Sequence, residues 1–178
     1  MGRMGTGEWL TRGTVWLALS LYVAGEIVKA ARRGANLCPA AQWLNSSGCT
    51  AFLAHVACAF HFYHRWSHVA AYADTARQTA ELFGWNWGGG LYLNYVFALV
   101  WIREAVWAWA NPDSYLGRPK WMTWTVRSFF WFMMLNGAVV FARGTVRWFG
   151  LILCLTLVGC WWPNRKRIAR PPDQSPPD

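Results

Sequence analysis

Long apolar stretches alternate with short polar ones along the chain. Four of them approach the roughly 20 residues a helix needs to cross a hydrocarbon core: Thr14 to Ala31, Leu91 to Ala110, Trp121 to Ala142 and Thr145 to Trp162. The first carries Glu26 and Lys29 near its end, and the second stops at Asn111-Pro112-Asp113, a turn signal. Arg143-Gly144 separates the last two, a tight link for antiparallel helices. A fifth run, Thr50 to Tyr63, is too short alone, but helix-forming residues continue to Phe83 and Gly84 stands where a helix C-cap belongs.

The pattern predicts one long helix over 50–83, spanning over 50–66 and then projecting beyond the bilayer. The expected fold is an all-α integral membrane protein, a bundle of about five transmembrane helices (14–31, 50–66, 91–110, 121–142 and 145–162) within a single domain over 1–162. Residues 1–12 read as a short polar start rather than a cleavable signal, and 32–49 as an uncharged loop after Arg32-Arg33. Pro163 to Asp178 is basic and then Pro-rich, the composition of a disordered tail.

Composition supports this picture. Only 14% of the 178 residues are charged, against about 25% in an ordinary soluble domain. Hydrophobic residues make up 55%, and the chain is tryptophan-rich, with 15 indoles, more than a compact soluble core could hide. Disordered, collagen-like and disulfide-scaffold classes are excluded. Most tryptophans, among them Trp9, Trp85, Trp109, Trp121 and Trp162, fall near span ends, where indoles anchor at the headgroup level. Trp101 and Trp131 lie deeper and are expected to pack between helices.

The net charge of +9 reads in this context as membrane orientation rather than nucleic-acid binding. Five spans would put nine cations on one face (Lys29, Arg32, Arg33, Arg118, Lys120, Arg165, Lys166, Arg167, Arg170) and six on the other (Arg3, Arg12, Arg65, Arg77, Arg143, Arg147). The basic C-terminal cluster predicts a bacterial inner-membrane protein with its N-terminus outside and its C-terminus cytoplasmic. Cys38 and Cys49 pull the other way: a disulfide between them would need an oxidising compartment, and this topology places their loop in the cytoplasm.

All four histidines lie in one segment: His55, His61, His64 and His68. On a continuous helix His61, His64 and His68 fall within about 60° of one another, joined by Tyr72, Thr75 and Thr79, whereas His55 stands about 120° away. Polar groups in or beside a membrane normally face a bundle interior or water. Histidine pairs three or four residues apart can close on zinc, copper or iron. His61 and His68 are about 10.5 Å apart along the axis, so three histidines of one helix need a ligand from elsewhere. Glu104 and Glu26 are the acids within spans, with Asp74 a weaker third. The candidate metal site is therefore His61, His64 and His68 with Glu104. Haem held within one chain fits less well, because no other helix supplies a histidine; haem held between two copies of the protein stays open. Hydrogen bonding to headgroups, water or a carboxylate competes with the metal reading.

Glu26, Arg103 and Glu104 form the expected buried charge network. Adjacent helical positions point about 100° apart, which predicts Glu26–Arg103 pairing with Glu104 left to the histidines. The alternative is Lys29–Glu104 with Arg103 snorkelling to the interface. Asn94 and Asn136 are expected to bond between helices. The run Gly84 to Gly90 reads as a flexible turn, lacking the Lys-Ser/Thr of a phosphate loop. Gly-x-Ser-x-Gly, His-Glu-x-x-His and Cys-x-x-Cys are all absent.

Three functions fit these residues. The first is an accessory or assembly subunit that binds the lipid bilayer and a membrane-protein partner or a second copy of itself. The second is a metal-dependent membrane protein using the histidines. The third is a small proton-coupled transporter or proton relay lined by His, Glu and Arg.

Overall fold

The computed structural model describes residues 5–32, 38–142 and 144–162; the tail 163–178 lies outside them. Every regular element among the described residues is helical: α1 (Thr6–Ala31), α2 (Pro39–Phe62), α3 (His68–Phe83), α4 (Gly90–Ala110), α5 (Pro112–Leu116), α6 (Lys120–Leu135) with a π-helical continuation (Asn136–Val140), and α7 (Val146–Trp161). The all-α expectation holds. Helix α1 is the one described helix long and apolar enough to be a candidate membrane span, and α7 is apolar but shorter.

Five helices close into a ring in the order α1, α2, α4, α6, α7, with α7 returning to α1. An aromatic core fills the centre: Trp101, 1% exposed, meets Tyr22, Phe52, Phe97 and Phe130. Helices α1 and α2 pack closely at Gly48, where a methyl group would lie 3.1 Å from the Trp101 ring and 3.2 Å from the Ala18 carbonyl oxygen.

Two expectations about the second helix are corrected. It begins at Pro39, a residue suited to the first helical turn, so much of the supposed loop is helix. Ala41, Gln42, Asn45, Gly48, Cys49, Ala51 and Phe52 are its buried residues, at helical spacing. Its polar members are consumed inside: Gln42 Nε2 donates to the Ala108 carbonyl at 2.7 Å, and Asn45 Oδ1 accepts from Trp101 Nε1 at 3.0 Å.

The helix also does not run through to Phe83. It stops at Phe62, and the chain reverses through Arg65 (φ 48°) and Trp66 (φ 60°), both left-handed. Ser67 then caps α3, its hydroxyl accepting from the Ala70 N–H at 3.2 Å. Gly84, at φ 71°, ends α3 as expected. Rather than projecting, α3 lies across one end of the ring. Its first residue, His68, meets Tyr92 and Tyr95 of α4, and its last, Phe83, meets Phe141 after the π-helix.

The Asn111-Pro112-Asp113 turn is itself a helical turn, α5, capped by the Asn111 side chain. Asn136 bonds within its own helix, to the Phe132 carbonyl at 2.8 Å, not across helices, and Asn94 is exposed. Cys38 and Cys49 are both free thiols. They stand at the N-cap and within α2, about 16 Å apart along the axis, well beyond the roughly 7 Å Cα separation a disulfide tolerates.

Candidate functional site

The ends of α1 and α4, the α5 turn and the beginnings of α2 and α6 meet at one end of the ring around a cavity of about 260 Å³. Its charged lining is Glu26, Lys29, Arg32, Glu104, Arg118 and Arg127; Tyr22, Tyr115 and Phe130 supply rings, and Cys38 sits at the rim.

Glu26 and Glu104 are each 5% exposed and each lies among cations. Lys29, one turn on, donates to Glu26 Oε1 at 2.7 Å, and Trp161 Nε1 from the end of α7 donates to Oε2 at 2.7 Å. Arg127 approaches that oxygen to 3.6 Å, its guanidinium 5.4 Å from the Trp161 ring centroid and 5.7 Å from that of Trp124. On the other side, Arg118 donates to Glu104 Oε2, with Arg103 donating to Oε1 at 3.3 Å. Arg118 also donates from Nε to Thr123 at 3.0 Å and lies 4.2 Å over the Tyr115 ring. The α5 turn makes this possible by folding the chain back within fourteen residues of Glu104. Burial opposes the Arg118 charge, yet Tyr115 and Glu104 outweigh it and hold the guanidinium above its ordinary pKa.

Neither expected pairing of the network forms. Glu26 takes Lys29 and Arg127 in place of Arg103, and Glu104 takes Arg118 in place of Lys29 or the histidines. Arg103 is half exposed on the outer face of α4, over Trp107 at 4.6 Å, and reaches its neighbour Glu104 by folding its long arm back. The sequence reading missed Arg118, Arg127 and Trp161. Arg127 carried the signal that singled out Arg103, a cation inside an apolar run.

The structure does not bring His61, His64, His68 and Glu104 together. The break after Phe62 leaves His61 on the last turn of α2, His64 in the reversal and His68 at the start of α3. His61 contacts Phe62 and Trp66, His64 contacts Phe60, and His68 contacts Tyr92 and Tyr95. Glu104 lies a further nine residues along α4 from Tyr95, about 13 Å, at the opposite end of the ring. Among the described residues no three His, Cys, Asp or Glu side chains are grouped to hold a metal. His55 is separate, as expected, with Nδ1 2.8 Å from the Thr11 carbonyl oxygen.

A second cavity, about 630 Å³, lies at the end crossed by α3, between Arg12, Arg77, Glu81, Phe141 and Arg147. Arg77 is already paired there with Asp74 and Glu81.

No protein-family model, no curated protein and no solved structure matches the chain.

Proposed function

We propose that this chain is a multi-pass membrane protein, spanning with α1, α2, α4, α6 with its π-helical extension, and α7. In this reading it is a non-catalytic accessory or assembly subunit whose binding chemistry is concentrated in the charged cavity. One observation carries the membrane reading: the outer surface of the ring is apolar, while several polar and charged residues of the same helices are turned inward around the aromatic core. Outward positions hold Leu17, Leu53, Leu99, Val106, Ile152 and Leu155, with Leu99 66% exposed, while Glu26, Gln42, Asn45 and Glu104 are buried. Soluble proteins rarely present such apolar surface, and polar groups in lipid turn inward.

Exposed aromatic residues bracket this surface. The helical rise gives about 29 Å between Trp43 and Phe62 on α2, about 26 Å between Tyr92 and Trp109 on α4, and about 21 Å between Trp148 and Trp162 around α7. A hydrocarbon core is about 30 Å thick, with aromatic belts at its borders. Indole and phenol rings anchor at the interface through their amphipathic character, so the helices richest in them gain affinity for the headgroup level.

The cavity end gathers Lys29, Arg32, Arg103, Arg118, Lys120 and Arg127, against Arg12, Arg65, Arg77 and Arg147 at the other. The positive-inside bias supports an inner-membrane orientation with the cavity end, and the C-terminus that follows α7, in the cytoplasm. Both intramembrane carboxylates are committed to ion pairs, which suits binding and assembly better than a proton path, and the histidines lie at the other end.

Cys38 provides the test. The protein should stay in the membrane after alkaline carbonate washing. A membrane-impermeant maleimide should label Cys38 in inverted vesicles and not in intact spheroplasts. Release by carbonate overturns the membrane reading, and labelling in spheroplasts alone overturns the orientation. Gentle detergent extraction should yield a particle heavier than the 20.3 kDa chain plus its micelle; a bare monomer counts against the assembly role.

A further inference from the structure

We propose that the charged cavity is a binding site for a phosphomonoester group, presented either by a lipid headgroup or by a soluble phosphate. The lipid source rests on the membrane reading above; the soluble source does not.

The argument begins with charge. Lys29, Arg32, Arg118 and Arg127 line the cavity against Glu26 and Glu104, a formal excess of two positive charges in a space of about 260 Å³. Lys29 and Arg127 share Glu26, Arg118 takes Glu104, and Arg32 adds a further cation at the rim. One carboxylate cancels one cation, so the surplus within the cavity comes to two charges, one beside Glu26 and one at Arg32. Half-enclosed positive charge is costly unless an anion joins it. A phosphomonoester carries about −1.5 to −2 near neutral pH, which matches the surplus; a carboxylate or a phosphodiester leaves half of it.

Geometry selects phosphate as well. Arg127 is held over Trp124 and Trp161, and at 3.6 Å its approach to Glu26 is an ion pair beyond hydrogen-bond reach. Arg127 lines the cavity, so its N–H donors can serve an anion there, and such forks recognise phosphate bidentately. Arg32 forms no ion pair among the described residues and stands at the rim, where it can swing onto a bound anion. The volume is below the roughly 300 Å³ at which drug-sized pockets begin, and it suits a headgroup or a small phosphate. In the proposed topology the cavity opens at the depth of the lipid phosphates.

The test uses full-length protein in phosphatidylcholine nanodiscs, read by tryptophan fluorescence and thermal stability. One arm adds inorganic phosphate, with chloride at matched ionic strength as control. The other includes phosphatidic acid, a lipid monoester, with phosphatidylglycerol as the diester control. Saturable stabilisation by inorganic phosphate identifies a soluble source, and stabilisation by phosphatidic acid above phosphatidylglycerol identifies a headgroup; either supports the site.

Arg127→Gln should weaken the response about tenfold, the loss of one charged hydrogen-bonding partner. Arg32→Gln, at an exposed residue outside the packed core, should weaken it in the same direction without affecting folding. Arg147→Gln, at the opposite end, should leave it within about twofold. No response to either phosphate, a phosphatidic acid response no larger than that to phosphatidylglycerol with none to inorganic phosphate, or equal losses in Arg32→Gln and Arg147→Gln would overturn the proposal. If carbonate washing has removed the protein from membranes, the membrane reading fails separately, and the inorganic phosphate arm still decides the site in detergent solution.

Discussion

Trp161 and Glu26 are 135 residues apart in sequence, and the Trp161 indole donates to the Glu26 carboxylate at 2.7 Å. This bond closes the ring, because it joins the last turn of α7 to the end of α1. Hydrogen bonds to charged groups contribute about 1.5–3 kcal/mol, more when the acceptor is left buried without a substitute. Trp161→Phe keeps a ring for Arg127 to stack on but removes the donor. It should lower unfolding stability in detergent by about 1.5–3 kcal/mol. Trp162→Phe, one residue on and 73% exposed, should change stability by less than about 0.5 kcal/mol. Equal effects would mean the indole bond contributes nothing specific.

The Glu104–Arg118 pair should behave as a coupled unit. Their side chains are 6% and 10% exposed, so either one left alone is a buried charge short of its main partner. Removing one member of such a pair typically costs about 3–5 kcal/mol. Arg103, half exposed, compensates Glu104 only weakly. Glu104→Gln and Arg118→Met should each destabilise strongly, and the double variant should lose less than the sum by at least about 1 kcal/mol. Denaturant unfolding of the four proteins in one detergent measures the cycle; simple additivity would count against the pair.

The helical class, the helices after residue 90 and the Gly84 cap were legible in the sequence because each depends on local signals: apolar runs, a Pro turn, a glycine in place. What was not legible depended on partners. Gln42, Asn45 and Ser46 suggested a loop because they are polar, yet Asn45 and Gln42 face inward to bond Trp101 and Ala108, and polarity alone does not distinguish loop from buried face. Their helical spacing was the available clue. The charge pairing could not be read because Arg118 arrives through a turn whose path only packing determines. The histidine stripe failed for one reason: residues 50–83 contain neither Gly nor Pro, so nothing obvious marked the reversal. Ser67, a good N-cap three residues before Ala70, was the one signal there.

That reversal carries a stability prediction. Arg65 and Trp66 hold left-handed backbone at φ 48° and 60°, conformations that cost an L residue energy and glycine almost none. Trp66 also packs against Phe60 and His61, so replacing it mixes strain relief with lost contact. Arg65→Gly isolates the backbone effect, and relief of strain should raise stability by about 0.5–1 kcal/mol even against glycine's greater unfolded-state entropy. Were α2 and α3 instead one continuous helix, the same substitution would put glycine in a helix interior and destabilise by a similar amount. The sign of the shift in melting temperature distinguishes the two backbones.

Cys38 should be the fast-reacting thiol among the five cysteines. It stands at the N-cap of α2, where the Ala41 N–H, then that of Ala40 and the nearby Arg32 charge, favour the thiolate and hold its pKa below the ordinary value. Cys49 and Cys154 are buried within the ring. The thiolate is the reactive form, so a lowered pKa enlarges its fraction at neutral pH and moves the rise of the rate–pH curve to lower pH. Alkylation of Cys38 by a small uncharged reagent should therefore reach half its plateau rate below the about 8.5 of a free cysteine. Peptide mass spectrometry over pH 6 to 10 gives the profile residue by residue. Arg32→Gln should shift the Cys38 curve slightly upward, while a curve already centred at or above the free-thiol value would show that the first turn of α2 does not face this sulfur.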